Sequence, residues 1–153
     1  MTETLIIANT ILNYAFENKT DVTPMKLQKL LYFLYKKYLQ DTGMPLFSER
    51  FEAWQYGPVL TSVYEVFKDY GANHINELYY DKNNKVMVID IDIAEKFKIS
   101  FDYVWNKYCN YTGSQLSAMT HREDTAWYKA YKEGDRFLKD ENIMEEKWYF
   151  INQ

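Results

Sequence analysis

The chain has a single cysteine, Cys109, among 153 residues, with only five glycines and three prolines. One cysteine excludes an intrachain disulfide and a cysteine-based zinc site, and it suits a reducing compartment. The glycines are scattered, so there is no Gly-rich phosphate loop. A basic surplus is also lacking: 18 Lys and Arg against 22 Asp and Glu give a formal net charge of −4, the reverse of a nucleic-acid footprint. Nucleic acid is therefore not an expected partner. No apolar run approaches the length of a membrane span, and the opening residues lack the basic start and apolar region of a secretory leader. The expectation is a cytoplasmic protein without membrane contact. With two histidines, no His-Glu-x-x-His and no second cysteine, neither a metal centre nor any other cofactor is expected.

What is abundant is aromatic: 15 Tyr, 9 Phe and 4 Trp. Tyr and Trp join a large apolar area to a polar tip, which suits both a protein interface and an ordinary core. A chain of this length buries about 68–70% of its unfolded surface. One domain over residues 1–153 is expected, without disulfide or metal support, repeats or linkers.

The most regular stretch runs from Thr23 to Leu39. Thr23 can cap a helix, Pro24 suits its first turn, and Leu27, Leu30, Leu31, Leu34 and Tyr38 recur at helical spacing. Gly43 can close it in the left-handed conformation. Lys26, Lys29, Lys36 and Lys37 fall mostly off the apolar stripe and read as a solvated face rather than a phosphate site. Before it, Thr4–Asn18 reads as a first helix with Leu5, Ile6, Ala8, Ile11, Leu12, Ala15 and Phe16 on one face. After it, β-prone residues near Leu46-Phe47 and Phe51 to Trp54 suggest a hairpin or extended turn, with Tyr56-Gly57-Pro58 as a break and Pro58 opening a third helix that stops at Gly71. Residues 85–90 form a second β-prone run. Further helices are expected from about Ile93 to Tyr108 (capped by Asp90 or Asp92), from a Ser114 cap through His121, from Asp124 to Tyr131, and in the tail, where Ile143, Met144, Trp148 and Phe150 should be buried. The fold class is thus mainly α, a compact single-domain helical bundle with a short hairpin or extended segment around 45–56 and another around 85–90.

Few residues suggest chemistry. His121 stands with Arg122, Glu123 and Asp124 at a helix end, a set that serves either as an acid–base group or as a turn fastened by a histidine. His74 lies in a polar loop. Cys109, beside Tyr108 and Tyr111, reads as packing. Trp54 next to the Tyr56-Gly57-Pro58 turn either lines a pocket or anchors a partner, or locks the turn onto the core. No helix-turn-helix is evident.

Three segments together carry a resemblance. Thr23 to Phe33 (TPMKLQKLLYF), Phe51 to Val59 (FEAWQYGPV) with Ser62, Val63, Tyr64 and Phe67, and Leu116 to Glu123 (LSAMTHRE) with Trp127 and Ala130 resemble the SocA-like antitoxin family, also called the Panacea domain and related to phage-associated GepA proteins. Ala126 stands where that family has proline. The resemblance implies a mostly helical domain, not an enzyme, that neutralises a cognate protein toxin encoded nearby, typically by direct binding in a type II module. An alternative it implies is an adaptor that delivers a toxin to the ClpXP protease; a third reading, from the residues, is an enzyme using His121. The motif residues, structural or partner-binding, are Lys26, Leu27, Gln28, Lys29, Leu30, Tyr32, Trp54, Tyr56, Gly57, Pro58, Val59, Tyr64, Leu116, Thr120, His121 and Trp127.

Overall fold

The computed structural model describes residues 1–150. Its centre is the helix opened by Thr23 and Pro24, here α2 (Pro24–Thr42): the Thr23 hydroxyl accepts from the amide of Lys26, and Gly43 ends the helix at φ +73°. Around α2 pack α1 (Glu3–Glu17), the hairpin strand β2 (Gly57–Val59), α3 (Thr61–Phe67), α4 (Glu95–Tyr108), α5 (Gly113–Thr120) and α7 (Asp140–Glu145). The remaining elements are β1 (Glu52–Trp54), which pairs with β2, and α6 (Ala126–Glu133). The mainly helical architecture with one small hairpin is the one expected.

The lysines of α2 are not a solvated face. Lys26, Lys29 and Lys36 are all buried, and only Lys37 stays partly exposed, paired with Asp41 one turn on. Each buried ammonium donates to a backbone carbonyl of a non-helical segment: Lys26 to Cys109 past the end of α4, Lys29 to Pro58 in the hairpin, Lys36 to Lys147 in the tail. The helix is therefore surrounded, and its polar side holds loops instead of facing water. Burial without such partners would cost several kcal/mol per charge, on the order of the penalties that make buried ions rare.

Other boundaries shift for local reasons. The hairpin lies at 52–59, not 45–56, with Glu52 opposite Val59, Ala53 opposite Pro58 and Trp54 opposite Gly57, so Gln55-Tyr56 forms the turn. Pro58 sits in β2 and does not start a helix; α3 begins at Thr61, where the Glu49 carboxylate accepts from the amide of Ser62 at 3.1 Å and takes the place of a cap. On its other edge β1 meets residues 136–138, Ala53 N donating to Arg136 O and Leu138 N to Phe51 O. Residues 85–90 form no strand: Asn9 and Thr10 of α1 take hydrogen bonds a neighbouring strand would have supplied, Thr10 Oγ1 accepting from Ile89 N at 2.9 Å and Asn9 Nδ2 donating to Met87 O at 3.5 Å. Asp90 caps a single 3-10 turn before α4. Thr112, not Ser114, caps α5, in a reciprocal box with Gln115, and Thr125 rather than Asp124 caps α6. In the tail Met144 is exposed, and helix ends at Glu145.

Much of the aromatic surplus is core. Phe33 stacks on Tyr108, Tyr108 on Trp148 and Phe150, and Tyr14 meets Phe101 and Trp105 edge-on at about 5 Å. Among the described residues no helix is long and apolar enough to cross a membrane.

Candidate functional site

The three motif segments converge on the hairpin turn. Four carbonyls of residues 54–58 are each taken by a side chain from a surrounding helix: Trp54 O accepts from Trp127 Nε1 (2.6 Å), Gln55 O faces His121 Nε2 (3.0 Å), Tyr56 O accepts from Ser117 Oγ (2.7 Å), and Pro58 O accepts from Lys29 Nζ (3.1 Å). Gln28 closes the set by holding both backbone groups of Leu60, its Nε2 donating to the carbonyl at 3.0 Å and its Oε1 accepting from the amide at 2.9 Å. A two-stranded hairpin alone is marginal in water. Here α2, α5 and α6 supply the partners that fix it.

Gly57 lies where these elements touch. Its φ is +114°, and a Cβ there would stand 2.8 Å from Thr120 Oγ1 and 2.9 Å from Lys29 Cε. Only glycine combines that conformation with that closeness. Leu27, Leu30 and Leu116 are core; Tyr32 donates to Glu146; Tyr64 packs edge to face on Trp54, with centroids 4.8 Å apart; Val59 is buried beside them.

His121 serves the turn. Its two ring nitrogens face the carbonyls of Ser117 (2.6 Å) and Gln55 (3.0 Å), and the ring lies against Trp127 with centroids 4.0 Å apart. No ion pair joins it to Glu123 or Asp124 among the described residues; Asp124 instead accepts from the Tyr149 hydroxyl, and Arg122 lies over the Tyr149 ring. The acid–base reading of this cluster thus finds no geometry, because its members turn to different neighbours. His74 is exposed in its loop and Cys109 is half-buried at the end of α4.

Four contributors, Ser117, Met25, Val63 and Phe67, were not among the site residues the sequence singled out. Ser117 sits one turn before His121, and that i, i+4 spacing on α5 is the signal that both face the same segment. Met25, Val63 and Phe67 join Trp54, Tyr56, Val59 and Tyr64 around an open apolar cleft of about 360 Å3 beside the hairpin. The cleft was foreshadowed only by Trp54.

Lys29 gives the site a pH signature. Its ammonium is buried, has no carboxylate within 4 Å among the described residues, and is pushed by desolvation from the ordinary 10.5 down to about 7. Between about 7 and 10 the folded protein holds a neutral amine while the unfolded chain stays protonated; the unfolded state binds more protons, so stability rises with pH. Burial lowers Lys26 and Lys36 as well, which has the same sign. Above about 10 the buried phenols of Tyr32, Tyr35 and Tyr108, all raised, reverse the slope, because only the unfolded chain ionises them. Urea midpoints should therefore be higher at pH 9 than at pH 6.5, and Lys29→Met should flatten that difference.

A family model described as "Antitoxin SocA-like, Panacea domain" matches residues 27–128. The protein described as Antitoxin SocA from Caulobacter vibrioides is 41% identical over 69 residues, which make up 45% of this chain and 37% of that relative. The chain thus aligns with little more than a third of that relative's length. No solved structure matches.

Proposed function

The chain belongs to the SocA-like antitoxin family with a Panacea domain, and on that premise we propose that it neutralises a cognate protein toxin by binding it directly, as the protein antitoxin of a type II module. The observation that carries the reading is that the matched span covers the second motif segment and most of the first and third, and that polar side chains of the first and third are engaged in fastening one hairpin. What the mount presents outward is apolar: Tyr56 and Tyr64 are exposed and line one cleft with Trp54. Aromatic residues on a rigid turn are the usual anchors of protein recognition. The net charge of −4 favours rapid encounter with a basic partner.

The test is co-expression with the toxin encoded beside this chain, scored by growth and by co-purification. Rescue together with a stable complex is expected; rescue with no complex would overturn direct sequestration. The same assay addresses His121. His121→Ala removes the ring's contacts with the Ser117 and Gln55 carbonyls and with Trp127, so it should cost about 1–3 kcal/mol of stability yet still rescue growth at a temperature where it is folded. Loss of rescue by a folded, toxin-binding His121→Ala variant would restore the enzymatic reading.

A further inference from the structure

The cleft beside the hairpin differs from the rest of the surface in what it lacks. Its walls are Met25, Trp54, Val59, Val63, Tyr64 and Phe67, and its mouth is flanked by the exposed ring of Tyr56. Gln28, also in the wall, has both ends of its amide committed to Leu60. Among the described residues the one charged side chain lining it is Lys29, whose sole hydrogen-bond partner there is Pro58 O. An ammonium has three donors, and an uncompensated buried cation is among the costliest groups a fold can carry. Below neutral pH, where Lys29 holds its proton, an apolar groove with one cation and no counter-ion among the described residues is complementary to a ligand that is mostly apolar with a single anionic group.

We infer that this cleft is the surface that receives the toxin, and that its occupant is a segment of the toxin presenting an apolar side chain next to one carboxylate. The side chain fills the space between Trp54, Tyr64 and Val63, and the carboxylate reaches toward the Lys29 ammonium. The rigid mount beneath the hairpin holds this shape before the partner arrives, so little ordering is left to oppose binding. Lys29 then has two roles: it secures Pro58 in the free protein and offers a counter-charge in the complex. The inference rests on the reading of the chain as a toxin-binding protein.

The experiment titrates the purified chain with an inactivated variant of the toxin encoded beside it, by calorimetry. Tyr56→Ala and Tyr64→Ala change exposed rings that are not part of the core cluster, so they test the surface without endangering the fold. Each is expected to weaken binding tenfold or more, while Met144→Ala, an exposed apolar change on α7, leaves it unchanged. Lys29→Met is expected to weaken binding similarly, and after it a carboxylate-to-amide scan of the toxin should find no position with further effect, whereas against the wild type one position should stand out. Wild-type binding retained by Tyr56→Ala and Tyr64→Ala would overturn the cleft as the docking surface and leave the proposed function standing. Full affinity in Lys29→Met would overturn the carboxylate. A wild type that forms no complex at all would remove the proposed function and this inference together.

Discussion

Glu146→Ala is expected to destabilise the protein by about 3–5 kcal/mol, the range for breaking a buried ion pair from one side. Glu146 is a tail residue, yet its carboxylate is buried and saturated. One oxygen accepts from the Tyr32 hydroxyl at 2.7 Å and from the amide of Ala126 at 2.8 Å; the other pairs with Lys36 Nζ at 2.9 Å. Truncation strands a cation, a phenol and a backbone amide at once, in a place water does not reach. Gln40 and Trp148 reinforce the same junction, the Gln40 amide donating to the carbonyls of Ile143 and Glu146 and its oxygen accepting from Trp148 Nε1. Urea unfolding is the measurement, with Glu145→Ala as the control, since that neighbouring side chain is exposed and should stay within about 0.5 kcal/mol.

A double-variant cycle separates the ion pair from the rest. Lys36→Met with Glu146→Leu removes both charges together, so it should recover a large part of the single-variant loss. It should not recover all of it, because Tyr32 and Ala126 still lack an acceptor. Glu146→Gln should fall between, keeping an oxygen for those two donors while turning an amide N–H₂ toward the ammonium. Proline at position 126 would have no N–H to give, so only a non-proline residue lets the carboxylate tie the first turn of α6 to the tail.

The capping signals of α2 were legible because they are local chemistry, whereas at α5 Ser114 looked as good a cap as Thr112, which takes the role. Thr23, Pro24 and Gly43 act within one helical turn of themselves, and the structure places them as their types predict. The buried lysines were not legible, because periodicity sorts residues by apolarity and has no way to register a carbonyl supplied by Pro58 or Lys147, far along the chain. The same limit explains residues 85–90. Their β propensity is real, but a strand is a pairing, and here α1 supplies partners to Met87 and Ile89 through Asn9 and Thr10. Pro58 fits both the start of a helix and a strand, and the choice was made by the register with Ala53. For the site, the order of the three motifs announced that they belong together, while their convergence on the carbonyls of 54–58 is a property of the closed fold. Glu146 carried no signal at all: one carboxylate among 22 acidic residues looks like any other until Lys36 is found facing it.

Gly57→Ala is the second large effect, expected to cost about 3 kcal/mol or more. Two independent penalties meet there. The backbone angle of +114° is one that side chains rarely adopt, and the added methyl would stand 2.8 Å from Thr120 Oγ1, 2.9 Å from Lys29 Cε and 3.1 Å from Lys29 Nζ. Neither neighbour yields easily, since Thr120 is buried and donates to Ser117 O at 2.7 Å while Lys29 is buried and holds Pro58. Gly43→Ala isolates the backbone part: its φ is +73° but nothing lies within 4 Å of the new methyl, so about 1–2 kcal/mol is expected. If the hairpin is seated as described, Gly57→Ala lowers the urea midpoint well beyond Gly43→Ala and speeds amide exchange across 52–60, and at a temperature where it remains folded it weakens toxin binding because the wall formed by Trp54 and Val59 has moved. Equal costs at the two glycines would mean that Lys29 and Thr120 do not press on Gly57, and the rigid mount would lose its foundation.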